Sequence, residues 1–230
     1  MSHQSRFVDL PETRALYAKS LGDTIRNPAL AATLRRIAAS GPDEFYKGET
    51  ARAISAAVAG APRNPAQLTL ADLQAYQARD RPALCGRYRT WKVCGMGPPS
   101  SGATTVLAIL GMLERFDLKR LGKDNPIAWH LIAEAMQLAY ADRDLYLGDS
   151  DFVPVPVRGL IDRAYLRRRS ALISPKRTMA DYPPGTPPGA QPRSPAPAPP
   201  EKGTTHFVAV DGSGETVSMT STVEGPFGSQ

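Results

Sequence analysis

A glycine followed by two threonines, Gly203-Thr204-Thr205 in EKGTTHFVAV, stands where nine prolines between Tyr182 and Glu201 give way to residues of strand character. A threonine hydroxyl is a weak nucleophile without a base beside it. One base lies within reach of any N-terminal threonine: its own α-amino group, whose pKa near neutrality leaves a usable unprotonated fraction. That amine exists only when the threonine begins a chain, so chemistry at Thr204 requires prior cleavage of the Gly203–Thr204 bond. The surroundings suit such a cut. Gly203 leaves its carbonyl accessible, and the proline tract supplies a segment able to leave afterwards. The other reading is that both threonines are strand formers and Gly203 is the turn before them.

Other groups offer less. No Ser, Cys or His lies in a nucleophile-elbow context. His130 and Glu134 stand four apart, a spacing that suits two metal ligands on one helix face. Without a third ligand at a recognisable spacing, a polar helix pair is the better reading. Asp142, Asp144, Asp149 and Asp151 in DRDLYLGDSD lack the ligand order of a calcium loop and read as helix-end and loop hydrogen bonding. PPSSG, Pro98 to Gly102, presents hydroxyls and backbone N–H groups at a helix start but lacks the Gly-Lys-Ser/Thr end of a phosphate loop. It reads mainly as a capped helix entry.

These residues need elements to hold them. Asn27-Pro28 is a cap and a first-turn proline, followed by Leu30, Leu34 and Ile37 at helical spacing up to Gly41. Glu49 to Val58 reads as a helix closed by Gly60, and Thr69 to Asp72 as a capping box with aspartate in the usual glutamate place. CGRYRTWKVC reads as two strands around Arg89-Thr90; a two-residue loop pairs Cys85 with Cys94 at a non-hydrogen-bonded rung, where side chains are close. Both a disulfide, in an oxidising compartment, and two buried thiols fit that rung. An apolar helix follows PPSSG to about Phe116. Asn125-Pro126 opens the longest helix, apolar on more than one side and so expected to be buried. A short basic helix spans residues 161–173, its RAYLRRR run read as a solvated face. The proline stretch 183–200 reads as an extended, poorly packed connector. Beyond it, Asp211-Gly212-Ser213-Gly214 joins two strand-like runs, 205–210 and 215–222, into a hairpin. Such a hairpin is marginal alone and must pair with something further.

Composition narrows the classes. The 230 residues carry a formal charge of +6, with 42% hydrophobic and 22% charged residues, ordinary for a globular protein. No aromatic-interleaved basic motif points to nucleic acid. No run is long enough for a membrane span, the most apolar window being Thr104 to Leu113, and the first twenty residues lack the apolar core of an export signal. Two cysteines are too few for a disulfide scaffold.

TTHFVAVDGSGETVSMTSTVEGPFGS closely resembles the start of the small subunit of γ-glutamyltransferases (glutathione hydrolases), N-terminal-nucleophile hydrolases. GPDEFYKGETARAI, LTLADLQAYQARDRPALCGRYRTWKVCGMGPPSSG and AEAMQLAYADRDLYLGDSDFVPVPV resemble the later part of the same family's large subunit, in the same order. The resemblance implies an α+β fold, part of an αββα sandwich, in three stretches: 1–181 from the large subunit, 182–203 as a linker ending at the processing site, and 204–230 opening the small subunit. It implies a precursor that cuts itself between Gly203 and Thr204, and a freed Thr204 that attacks γ-glutamyl amides such as glutathione. The glutamyl group then passes to water or to amino-acid or dipeptide acceptors, without cofactor or metal. On the same basis Thr222 assists the nucleophile by hydrogen bonding, and Glu224 binds the α-ammonium of the glutamyl group. The family's carboxylate-binding arginine, serine pair and oxyanion-hole glycines have no counterpart in these 230 residues, so the chain is expected to be a central fragment. The location implied is periplasmic or secreted. A related glutaryl or cephalosporin acylase and a non-catalytic remnant are the alternative readings.

Overall fold

The computed structural model describes residues 11–62, 64–194 and 204–222. The chain divides into two compact units, one of Met1–Ala78 with Pro200–Gln230, the other of Arg79–Pro199.

The first unit contains helices α1 (Pro11–Tyr17), α2 (Pro28–Ser40), α3 (Asp43–Tyr46), α4 (Glu49–Ala59) and α5 (Leu70–Ala75), and a hairpin of β3 (Thr205–Val210) and β4 (Thr216–Ser221). The start signals act as expected. Asn27 Oδ1 accepts from Leu30 N at 2.9 Å, and Thr69 and Asp72 satisfy each other's backbone in a reciprocal capping box. Helix α4 is capped differently. Its N-cap is Gly48, which has no side chain to offer, and Glu44 from α3 accepts from Glu49 N at 3.3 Å and Thr50 N at 3.2 Å. The Arg36 guanidinium, 3.0 Å away, holds that carboxyl below the usual glutamate range, helped by the Thr50 hydroxyl and backbone.

The second unit holds β1 (Leu84–Tyr88), β2 (Trp91–Gly95), α6 (Gly102–Leu113), α7 (Leu118–Leu121), α8 (Pro126–Tyr146), α9 (Val157–Leu160) and α10 (Arg163–Ser170). Strands β1 and β2 pair antiparallel in the anticipated register, Tyr88 opposite Trp91 and Cys85 opposite Cys94. The cysteines form a disulfide, with Cα atoms 4.1 Å apart. Of the two readings the sequence left open, the thiols are thus excluded. Helix α6 packs between the hairpin, α8 and α10. Met112, Leu131, Ala135, Leu138, Leu166 and Ile173 form the centre of the core. Helix α8 is less enclosed than its composition suggests: one face is buried, while Trp129, Met136 and Tyr140 remain exposed.

Two further expectations are corrected. The basic run is not wholly a solvated face, because Arg169 is only 5% exposed. Its Nη2 lies 3.1 Å from Asp142 Oδ1 and donates to the carbonyls of Leu138 and Pro183. Asp142 also accepts from Tyr165 OH at 2.7 Å and from Gly185 N at 2.7 Å. Burial first, and this bond second, push the Tyr165 phenol far above its ordinary pKa. Residues 182–194 are likewise not a loose connector. Tyr146 OH donates to Gly185 O, Tyr182 OH donates to Glu134, and Arg193 donates to the carbonyls of Tyr146 and Pro154. The bonds run both ways: Tyr146 and Arg169 donate to the carbonyls of Gly185 and Pro183, while Tyr182 and Arg193 of the segment donate back to α8 and the loop after it.

Gly159 permits the closest approach in this docking. A Cβ there would overlap the Pro188 carbonyl oxygen, a backbone atom that has little room to yield. Gly159→Ala is therefore expected to destabilise the second unit by about 1–3 kcal/mol. Limited proteolysis should read this as faster cutting between residues 183 and 194; an unchanged cleavage pattern would contradict it.

Candidate functional site

The hairpin that carries the threonines is organised by its turn. Asp211 Oδ1 accepts from Ser213 N at 2.9 Å, Ser213 Oγ at 2.8 Å and Glu215 N at 2.9 Å. These bonds, the Ser213 hydroxyl first, hold its carboxyl below the usual aspartate range. Asp211 N donates to Glu215 O at 3.0 Å, closing the first rung. From there the register runs without a slip to Thr205 opposite Ser221.

Hydrogen-bonded and non-hydrogen-bonded rungs alternate along an antiparallel pair. With 211 and 215 bonded, His206 and Thr220 occupy a non-hydrogen-bonded rung, where side chains approach most closely. Their atoms agree: His206 Nδ1 is 2.7 Å from Thr220 Oγ1, and Nε2 is 3.3 Å from Ser218 Oγ. Thr204 immediately precedes β3 and Thr222 immediately follows β4, both exposed. The pairing ends at Thr205 and Ser221; extended by one step, the same register would bring Thr204 across from Thr222 on the face that carries His206 and Thr220. Gly203 and Glu224 lie outside the described residues.

His206 was not singled out from the sequence, where it reads as one polar residue in a strand. Period-two alternation two residues after Thr204 was the signal that could have marked it. Both its ring nitrogens are engaged with hydroxyls of β4. The ring is thereby committed to contacts within the hairpin.

The remaining candidates disperse. His130 and Glu134 do not meet: His130 Nε2 is 2.8 Å from Ser174 O, while Glu134, 2% exposed, accepts from Tyr182 OH at 2.6 Å and Met179 N at 3.3 Å. That bond is the main cause raising the Tyr182 phenol to about 12. Asp149 and Asp151 receive Arg81, its Nη2 lying 2.7 Å from Asp151 Oδ2. Among the described residues no group of three His, Cys, Asp or Glu side chains converges as for a metal ion, and no helix is long and apolar enough to cross a membrane. A cavity of about 530 Å³ has Leu107, Glu114, Arg163 and Arg167 among its walls and none of the predicted site residues.

A family model described as Gamma-glutamyltranspeptidase matches residues 1–230. The chain belongs to the γ-glutamyltranspeptidase family. Over 208 residues it is 39% identical to the glutathione hydrolase proenzyme of Escherichia coli strain K12, covering 90% of this chain and 34% of that protein. It is also 37% identical over 198 residues to the acylase ACY 1 proenzyme of Pseudomonas sp. strain SE83, covering 86% of this chain and 33% of that one. The solved Helicobacter pylori γ-glutamyltranspeptidase superposes with a TM-score of 0.67 at 36% identity, over 77% of this chain and 52% of that one. A cephalosporin acylase from Bacillus halodurans gives 0.70 at 27% identity, over 92% and 36%. The α+β class follows from these neighbours and from the mixture of helices and hairpins. This member of the family spans about a third of the length of the curated relatives it matches.

Proposed function

We propose that this chain is part of a self-processing γ-glutamyl hydrolase and transferase whose nucleophile is Thr204. The observation that carries the reading is the hairpin register, whose next step faces Thr204 with a second hydroxyl, Thr222, while His206 beside it is occupied. Processing begins with attack of Thr204 Oγ on the Gly203 carbonyl carbon. The acyl group moves from nitrogen to oxygen, giving an ester and a free α-amine, and water hydrolyses the ester. Residues 1–181 with the linker 182–203 then form the end of one subunit, and 204–230 the start of the other.

In the processed form the α-amine takes the Thr204 hydroxyl proton as Oγ attacks the γ-glutamyl amide, and returns it to the departing amine. Thr222 donates a hydrogen bond that orients Oγ. The resulting ester yields to water or to the amine of an amino acid or dipeptide. Glu224 pairs with the α-ammonium of the donor, a charge-assisted bond stronger than a neutral one. The Cys85–Cys94 disulfide supports an oxidising location, periplasmic or secreted.

The similarity to two acylases favours one second reading, hydrolysis of a glutaryl amide, which lacks that ammonium. Initial rates on γ-glutamyl-p-nitroanilide and glutaryl-p-nitroanilide, measured with the complete reading frame, separate the two. A charge-assisted bond of about 1.5–3 kcal/mol predicts a γ-glutamyl preference of about ten- to a hundredfold, much reduced in Glu224→Gln. A preference for the glutaryl compound would establish the acylase instead.

A further inference from the structure

We infer that the β1–β2 hairpin is a thiol-exchange site selective for small anionic thiols, with Cys85–Cys94 as the reacting disulfide. Both cysteines are exposed. The next non-hydrogen-bonded rung on the same face sets Arg87 directly opposite Lys92. Like charges across such a rung repel. Neither has an ion-pair or hydrogen-bond partner among the described residues, and both are exposed. A groove of about 370 Å³ runs beside them, lined by Cys85, Gly86, Arg87, Thr90 and Lys92, large enough for a small ligand. The larger cavity shares Gly86 and Arg87 with this groove and has Arg115, Arg163 and Arg167, with Glu114, among its walls.

Two cations beside a disulfide act twice. They draw in an anionic thiol, whose carboxylates or sulfonate they can pair with. They also stabilise the cysteine thiolate that leaves, and a better leaving thiolate exchanges faster. In the step itself the incoming thiol loses its proton to solvent, and its thiolate attacks one cysteine Sγ. A mixed disulfide forms, the Cys85–Cys94 bond breaks, and its electron pair goes to the other cysteine as thiolate. No other oxidant or reductant is needed. Glutathione is one anionic thiol, and the step is independent of Thr204 chemistry because it uses none of the hairpin β3–β4.

The test is exchange kinetics on the complete reading frame, with 2-mercaptoethanesulfonate as the anionic probe and cysteamine as the cationic one, each rate corrected to its thiolate fraction. Mixed disulfide is read by intact mass after acid quenching. Each exposed cation should be worth about threefold at low ionic strength. The anionic-to-cationic rate ratio is thus expected to fall about tenfold in Arg87→Gln/Lys92→Gln, further in Lys92→Glu, and comparably for the unsubstituted protein in about 1 M salt. Thr204→Ala should leave the ratio unchanged, which separates this site from the hydrolase reading. An equal ratio in the charge variants, no mixed disulfide at either cysteine, or free thiols in the protein before any reductant is added would each overturn the inference.

Discussion

Replacing Thr204 by alanine in the complete reading frame is expected to leave a single uncut chain and to lower γ-glutamyl hydrolysis by about a thousandfold or more. Two losses coincide. Without Oγ there is nothing to attack the Gly203 carbonyl, so the α-amine that serves as base is never released. Without the hydroxyl there is also no acyl-enzyme, and residual turnover rests on binding and carbonyl polarisation alone. Thr204→Ser keeps an oxygen at the same place and should cut and turn over, more slowly. Intact mass reports the cut, and p-nitroaniline release reports the turnover. Cleavage between 203 and 204 persisting in Thr204→Ala would remove Thr204 from the proposal.

Asp142→Ala is expected to destabilise the second unit by about 3–5 kcal/mol. The change strands Arg169, whose side chain is 6% exposed, without its carboxylate at 3.1 Å. It also removes the acceptor for Tyr165 OH and Gly185 N. A buried cation without a counter-charge costs more than the pair contributed, because its hydration was already given up on folding. Arg169→Leu should lose a similar amount by stranding Asp142. Asp142→Leu with Arg169→Leu should lose less than the sum of the singles, since neither charge is then left uncompensated. Urea unfolding of the four proteins gives the coupling. Losses under about 1 kcal/mol in both singles would show that water reaches the pair.

These two substitutions differ in how visible their targets were. Thr204 stood out because glycine and threonine at a proline-to-strand junction are a local pattern, and local patterns survive in one dimension. The same holds for Asn27, the Thr69–Asp72 box, the Asp211 turn and the rung between Cys85 and Cys94, each set within about ten residues. Asp142 was not legible. As one of four acids in a polar stretch it resembled its neighbours, and its partner Arg169 resembled the solvated arginines on either side. Asp151 took a half-buried arginine and Asp142 a fully buried one, a division that the spacing of the acids does not encode.

Sequence alone determined the family motifs, the order of the longer elements, the register of the β1–β2 hairpin and the existence of the second hairpin, because capping, turn chemistry and period-two alternation act between residues close along the chain. Tertiary structure decided which charges are buried, that residues 182–194 are docked, that Glu134 holds Tyr182 and does not bind with His130, and that Arg87 and Lys92 flank an exposed disulfide. Those outcomes depend on solvent exposure and on contacts such as Tyr182 with Glu134, 48 residues apart. Burial sets the cost of leaving a polar group unpaired, and burial exists only after the chain has packed.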